Sequence, residues 1–211
     1  MRRVVILGGG YAGLHAFAAI RSRLGRQMRS GELDVVVVSR DPYHTYHGWT
    51  GEILSGRMPA KRSLTPIAPL LQDGRLLVGE VRSADTKKNA VLVSTETGEE
   101  TLEYDHILMA TGSKDPFNRL PGLREHGWRL KDTRDMQRLE AHIERFFEEP
   151  FPHDVVVIGG GFAGVEAASA LAERRRLRNS PVRIHLVTGG EGLPSMLPRF
   201  RKIATYAVKT L

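Results

Sequence analysis

Apolar positions change their period several times along the chain, and each change marks an element. In Arg3-Val4-Val5-Ile6-Leu7 the four residues after Arg3 are apolar at consecutive positions, the pattern of a strand buried on both faces of a parallel sheet. After Gly8-Gly9-Gly10-Tyr11-Ala12-Gly13 the period becomes helical, with Leu14, Phe17, Ile20 and Leu24 on one side and Gly25 as a stop signal. Leu33 to Val38 is a second β-branched run, so residues 3–39 read as a complete βαβ unit with a right-handed crossover. Short runs from Arg75 to Ser94 and from Glu100 to Tyr104, broken by Lys87-Lys88-Asn89 and Thr97-Gly98, predict a small antiparallel meander. His106 to Ala110 predicts one more buried strand, ending at Thr111-Gly112.

A helical segment from Asp132 to Glu149 leads to Pro150 and Pro152, which mark a boundary. The opening pattern then restarts. His153 to Ile158 reads as a strand, Gly159-Gly160-Gly161-Phe162-Ala163-Gly164 as a second glycine loop, Val165, Ala168, Leu171 and Ala172 as one helix face, and Val182 to Val187 as a further strand. The chain thus contains an internal duplication of one supersecondary unit. Phe200, Ile203, Ala204, Ala207, Val208 and Leu211 fall at helical spacing and predict a terminal amphipathic helix.

Glycine triplets occur in many turns, so Gly8-x-Gly10-x-x-Gly13 gains its meaning from its context between a strand and a helix. There the first Gly permits a tight turn, the second lets the backbone approach a pyrophosphate, and the third allows close helix-to-strand packing. The helix N-terminus presents unpaired N–H groups and a favourable dipole to the phosphates. Gly159-x-Gly161-x-x-Gly164 repeats this logic, and two copies in one chain predict two dinucleotides. Neither copy carries the Asp or Glu that the fingerprint expects at the end of its second strand. Ser39, followed by Arg40 and Asp41, stands there in the first copy and Thr188 in the second. Ser39 offers a weaker hydrogen bond to a ribose, with Arg40 near the adenine or its phosphates. No Arg follows Thr188, so NADH and NADPH both stay open.

Composition and charge narrow the classes further. The 211 residues carry 31 Lys and Arg against 24 Asp and Glu, an excess spread along the chain apart from Arg174, Arg175, Arg176 and Arg178. No aromatic residues interleave with that basic run, so it reads as solvated surface rather than a nucleic-acid site. There is no Cys, which removes disulfides, thiolate metal sites and redox-active Cys pairs. The His-x-x-His spacing of His44 and His47 beside Asp41 has no further ligands, so no metal site is expected. Tyr43, Tyr46 and Trp49 are expected to pack beside a cofactor or in the core. No apolar stretch approaches membrane-spanning length and Met1-Arg2-Arg3 enters a strand directly, so the protein is expected to be cytoplasmic, with at most a membrane-surface association.

Taken together, the two glycine loops, Asp41-Pro42-Tyr43-His44, Tyr104 to Ser113, Leu120-Pro121-Gly122-Leu123 and Gly159 to Glu166 resemble the flavoproteins with two dinucleotide-binding domains, and among them most closely the type II NADH:quinone dehydrogenases. The resemblance implies an α/β fold: a Rossmann-like FAD-binding unit with a small meander, then the start of a second Rossmann-like, NAD(P)-binding unit. It divides the chain into an FAD-binding domain at 1–115, a connecting segment at 116–152 and a partial NAD(P)-binding domain at 153–211. It also implies that Gly8, Gly10, Tyr11, Ala12 and Gly13 hold the FAD pyrophosphate and that Ala110, Thr111 and Gly112 pass close to FAD. Gly159, Gly161 and Gly164 would hold NAD(P)H, with Glu166 near the nicotinamide ribose; an acid in the first turn of a helix is also favourable without any ligand. Electrons would pass from NAD(P)H to flavin and on to a quinone or another small acceptor, with no protein nucleophile needed. Relatives that relay electrons through cysteines do not fit. The resemblance also implies a return to the FAD domain and a C-terminal region that forms the homodimer, quinone or membrane surface, so the chain is expected to be an N-terminal portion, with the second unit's short sheet and the terminal helix poorly supported. A dinucleotide-binding module without catalysis, or a fragment that needs a partner chain, remains the alternative.

Overall fold

The apolar runs near the N-terminus are buried on both faces because they form the two central strands of a parallel sheet. A computed structural model describes residues 1–114, 117–131 and 133–189. They form two units: Met1–Tyr46 with Leu64–Lys114, and His47–Ser63 with the described residues after Lys114.

In the first unit β1 (Arg2–Leu7), α1 (Tyr11–Arg29) and β2 (Leu33–Ser39) make the first βαβ unit. The short β3 (Tyr43–Thr45) and β4 (Leu64–Pro66) pair antiparallel and bracket the excursion that contains α2 (Thr50–Leu54). Next come β5 (Arg75–Val78), the antiparallel sheet of β6 (Glu80–Asp85), β7 (Ala90–Thr95) and β8 (Gly98–Glu103), and finally β9 (His106–Met109). The parallel sheet runs β5-β2-β1-β9. Val5, Leu7, Val36 and Val38 pack against Val91, Val93, Leu102 and Tyr104 on the meander side. Ile6, Val35 and Val37 point the other way, onto Phe17 and Met28 of α1 and onto Ile67 and Leu71. Each such side chain, fully buried, contributes about 1.5–3 kcal/mol, which is why neither face tolerates a polar alternate position.

Two details differ from the sequence reading. Gly25 does not end α1: the helix bends at Leu24 (φ −121°, ψ 15°) and continues to Arg29. The bend leaves Leu24 39% exposed and brings Met28 into the core in its place. Arg75–Val78 does not open the meander but joins β2 in parallel. Its Leu76 packs on the helix side and Leu77 on the meander side, the two-faced burial of a parallel strand.

The second unit contains α2, α3 (Leu123–His126), α4 (Thr133–Glu148), β10 (Asp154–Ile158), α5 (Phe162–Arg178) and β11 (Arg183–Val187). Leu139, Ile143 and Phe147 of α4 pack with Ala167, Ala170 and Leu171 of α5, Val182, and Leu54 of α2. Strands β10 and β11 pair in parallel, with Val155, Val157 and Ile184 against this core. On their other face Val156 and Val187 are about half exposed. The amphipathic helix predicted from Phe200 to Leu211 lies outside the described residues.

Both parallel sheets are fastened by charge where their strands begin. Arg3 Nε lies 2.7 Å from Asp34 Oδ2 across β1 and β2, and Arg75 joins from β5 at 3.2 Å. Burial acts to raise the Asp34 pKa, but hydrogen bonds from Arg75 and Arg3 outweigh it and hold the carboxyl below its usual range. In the second unit Asp154 receives Arg183 at 2.6 Å and His185 at 2.6 Å, and these hydrogen bonds, Arg183 first, lower its pKa to about 2.

Candidate functional site

Strands β1, β2 and β9 end together at one edge of the sheet, since Leu7 is level with both Val38 and Met109. The chain leaves β1 towards β2 on one side, while β9 flanks β1 on the other. Ligands of open α/β sheets bind at such a reversal, outside the carboxyl ends of the strands. The residues singled out in the first glycine loop, at Ser39–Arg40 and at Ala110–Gly112 all lie at this edge.

The loop itself is tightly determined. Gly8 has φ +120°, a region that L side chains avoid, and its N–H donates to Val38 O at 2.8 Å. A Cβ on Gly8 would overlap the Ala110 carbonyl, while the Ala110 N–H donates to Leu7 O at 2.8 Å, so the β9 end lies directly against the loop. A Cβ on Gly13 would overlap the Gly8 carbonyl oxygen, which is how α1 comes so close to β1. Gly10 is different: a Cβ there meets nothing within 4 Å among the described residues. Gly10 caps α1 with backbone alone, with no side-chain hydrogen bond and no acidic residue in the first turn. The leading N–H groups, from Tyr11 and Ala12 onward, therefore face an open cradle with the polarity an anion requires.

Around the cradle, Tyr11 is 43% exposed and meets His44 edge-on, with ring centroids 4.6 Å apart, and Tyr46 at 6.2 Å. Tyr43 and Tyr46 are likewise exposed, so neither is a core residue; Trp49, also exposed, belongs to the second unit. The buried Nδ1 of His44 has no hydrogen-bond partner among the described residues, a polar atom that a ligand would satisfy. Ser39 is buried, with its hydroxyl directly beneath Gly9. Arg40 is exposed and pairs with Asp41 at 3.4 Å. Thr111 and Gly112 are exposed at the end of β9, Gly112 at φ +71°.

The second loop reproduces the first. Gly159 has φ +123°, its N–H donates to Val187 O at 2.8 Å, and a Cβ on Gly164 would overlap the Gly159 carbonyl oxygen. Gly161 caps α5 without a side-chain hydrogen bond and, again, no acidic residue occupies the first turn. Both loops therefore fit a pyrophosphate. Glu166 is the fifth residue of α5, one place beyond the first turn, so the favourable first-turn charge is not its role here. Its exposed carboxylate lies over α2 instead: a Cβ on Gly51 would come within 3.1 Å of Glu166 Oε1.

Two site residues escaped the sequence reading. The fingerprint leaves Gly9 and Gly160 free to vary, yet a Cβ on Gly9 would lie 2.5 Å from Ile67 Cδ1 and 2.6 Å from Ser39 Oγ. A Cβ on Gly160 would lie 2.6 Å from Thr188 Cγ2. The residue at the end of each second strand is thus fitted to a glycine above it; the signal was a fourth glycine in both loops, beyond the three that the fingerprint requires. Arg174 also differs from its reading as solvated surface: it is 2% exposed, inside the core between α4 and α5. Among the described residues no three His, Asp or Glu side chains are grouped to hold a metal ion, and no helix is long and apolar enough to cross a membrane.

The sequence profile of the pyridine nucleotide-disulphide oxidoreductases matches residues 2–210. The chain belongs to this family. Its 211 residues contain no cysteine, so the disulphide chemistry in the family's name has no donor here. Among curated relatives, the type II NADH:quinone oxidoreductase of Staphylococcus haemolyticus is 25% identical over 226 residues, covering 100% of this chain and 54% of the relative. The demethylphylloquinone reductase NdbB of Synechocystis is 26% identical, covering 95% and 49%. The chain spans about half the length of the curated relatives it matches. In fold it is similar to the NDH2 of Plasmodium falciparum solved with NADH, with a TM-score of 0.79 at 19% identity over 97% of this chain and 46% of that one. The sulfide:quinone oxidoreductase of Aquifex aeolicus gives 0.72 at 20% identity, over 100% and 50%.

Proposed function

We propose that this chain is the dinucleotide-binding part of an FAD-dependent NAD(P)H oxidoreductase, with FAD in the first unit and the nicotinamide nucleotide in the second. The observation that carries this reading is the pair of matched, uncapped helix N-termini behind Gly10 and Gly161, each free of acidic side chains in its first turn. The domain limits of 1–115 and 153–211, joined by 116–152, belong to the same proposal.

A bound flavin would supply the hydride acceptor and a bound nicotinamide the donor, so the protein's task is binding and orientation. Gly8, Gly10, Tyr11, Ala12 and Gly13 hold the FAD pyrophosphate with backbone N–H groups. Ser39 and Arg40 serve its adenosine end, and Ala110, Thr111 and Gly112 line it from β9. Gly159, Gly161 and Gly164 hold the NAD(P)H pyrophosphate, and Glu166 lies at the nicotinamide ribose. The relatives named as quinone oxidoreductases support a quinone as the onward acceptor, and with it a place on the inner face of the cell membrane. Calorimetric titration with FAD and then NADH tests the reading: saturable binding of both, each abolished by a bulky side chain at Gly10 or Gly161 respectively, is expected. Binding of neither would overturn it.

A further inference from the structure

Arg174 is the one member of the basic run 174–178 that the solvent does not account for. It is 2% exposed, and its guanidinium pairs with Glu144 of α4, lies 5.2 Å from the Phe147 ring and donates from Nη1 to Leu54 O at 3.3 Å. Its Nε has no partner among the described residues. Burial lowers the pKa of the group, yet a guanidinium keeps its charge at neutral pH. Glu144 is 37% exposed, so the pair is buried on the arginine side only, and a charge buried in this way is a poor source of stability because apolar side chains of similar volume often pack as well or better. The charge therefore calls for a geometric explanation.

That explanation lies in α2. A helix of five residues has no stability of its own, so its place depends on what holds its two ends. At the C-terminal end the Leu54 carbonyl accepts from Arg174, and the chain then turns through Gly56 at φ +78°, where a Cβ would come within 3.2 Å of Arg174 Cζ. Near the N-terminal end Gly51 lies against the Glu166 carboxylate. Arg174 and Glu166 both project from α5, eight residues apart, a spacing that returns to the same helix face.

We propose that Arg174 is a positioning residue for the dinucleotide site of the second unit. Held by Glu144, it clamps the last carbonyl of α2 and so fixes the Gly51 backbone as the wall behind Glu166. The link to the nucleotide rests on the reading that Glu166 faces the nicotinamide ribose; the clamp itself does not.

Two measurements test these links separately on Arg174→Met, Arg174→Lys and Glu144→Gln. Amide exchange at Ser55, Gly56 and Arg57, whose N–H groups donate to Gly51, Ile53 and Glu52, reports the seating of α2. In Arg174→Met these amides should exchange about tenfold faster while α5 keeps its protection. Arg174→Lys should recover part of the loss, and Glu144→Gln, which keeps the guanidinium but frees it, should move the same way. NADH affinity should fall about tenfold in Arg174→Met and no further when Glu166→Gln is added to it, because both changes act through one group. Unchanged exchange in Arg174→Met, or additive losses in the double variant, would overturn the proposal. If Arg174→Met does not fold, Glu144→Gln decides by the same readouts. If the wild-type chain binds no NADH, the functional reading fails and amide exchange alone decides the clamp.

Discussion

Gly8 and Gly159 adopt the same left-handed backbone conformation, φ +120° and +123°, and each donates its N–H to the final residue but one or the final residue of the neighbouring parallel strand, Val38 and Val187, at 2.8 Å. The two glycine loops are one design used twice. Their surroundings differ: a Cβ on Gly8 meets β9, whereas a Cβ on Gly159 meets nothing within 4 Å among the described residues.

Gly13 and Gly10 of the first loop should therefore separate stability from binding. Gly13→Ala drives a methyl group into the Gly8 carbonyl and should cost about 1–3 kcal/mol. Gly10→Ala projects into open space from a backbone conformation that Ala accepts, so stability should stay within about 0.5 kcal/mol of wild type. FAD affinity should fall in both. Urea unfolding and flavin titration check this together; equal destabilisation by the two substitutions would argue against the cradle.

Gly9→Ala extends the test to a position the fingerprint ignores. Its methyl group has to displace Ile67 and the buried Ser39, so a loss of about 1–3 kcal/mol is expected. Pairing it with Ser39→Gly should recover part of that loss. An unaffected Gly9→Ala melting temperature would show that the loop relaxes freely.

The bend in α1 predicts a reversal of ordinary expectation along one helix face. Phe17 is 2% exposed against the sheet, and Phe17→Ala should cost about 3–5 kcal/mol. Leu24, on the same predicted stripe, is 39% exposed, so Leu24→Ala should cost less than about 1 kcal/mol. Comparable losses at the two positions would mean that Leu24 packs as a straight helix requires.

Acid should weaken the second unit through Asp154. Its folded pKa of about 2 lies below the ordinary value of 3.8, so the Arg183 and His185 contacts stabilise above 3.8 and their contribution disappears as pH falls through about 2. The pair is exposed, so the gain at neutral pH is small and salt reduces it. The stability difference between wild type and Asp154→Asn should shrink across this window; a difference that stays constant there would contradict the assignment.

Much of this architecture was legible because the strongest signals are local. Consecutive apolar residues at 4–7 and 35–38 announce strands buried on both faces, and strand–glycine loop–helix order announces both glycine loops. What escaped depends on long-range packing. Gly25 resembles a helix stop until Met28 is seen in the core, and Arg75–Val78 reads like the adjoining meander until β2 is found beside it. Arg174 shares its local sequence with Arg175 and Arg176, and only the arrival of Leu54 and Glu144 sets it apart. The excursion at 47–63 leaves its own βαβ unit to pack with α5, a connection to which no periodicity points.

The most direct test of the central claim is the visible absorbance of the purified protein reconstituted with FAD, recorded before and after anaerobic addition of NADH. A retained flavin band that bleaches with NADH is the predicted result, showing that both loops hold their nucleotides and that hydride passes between them. A protein that retains no flavin, or holds flavin that NADH leaves oxidised, would contradict it.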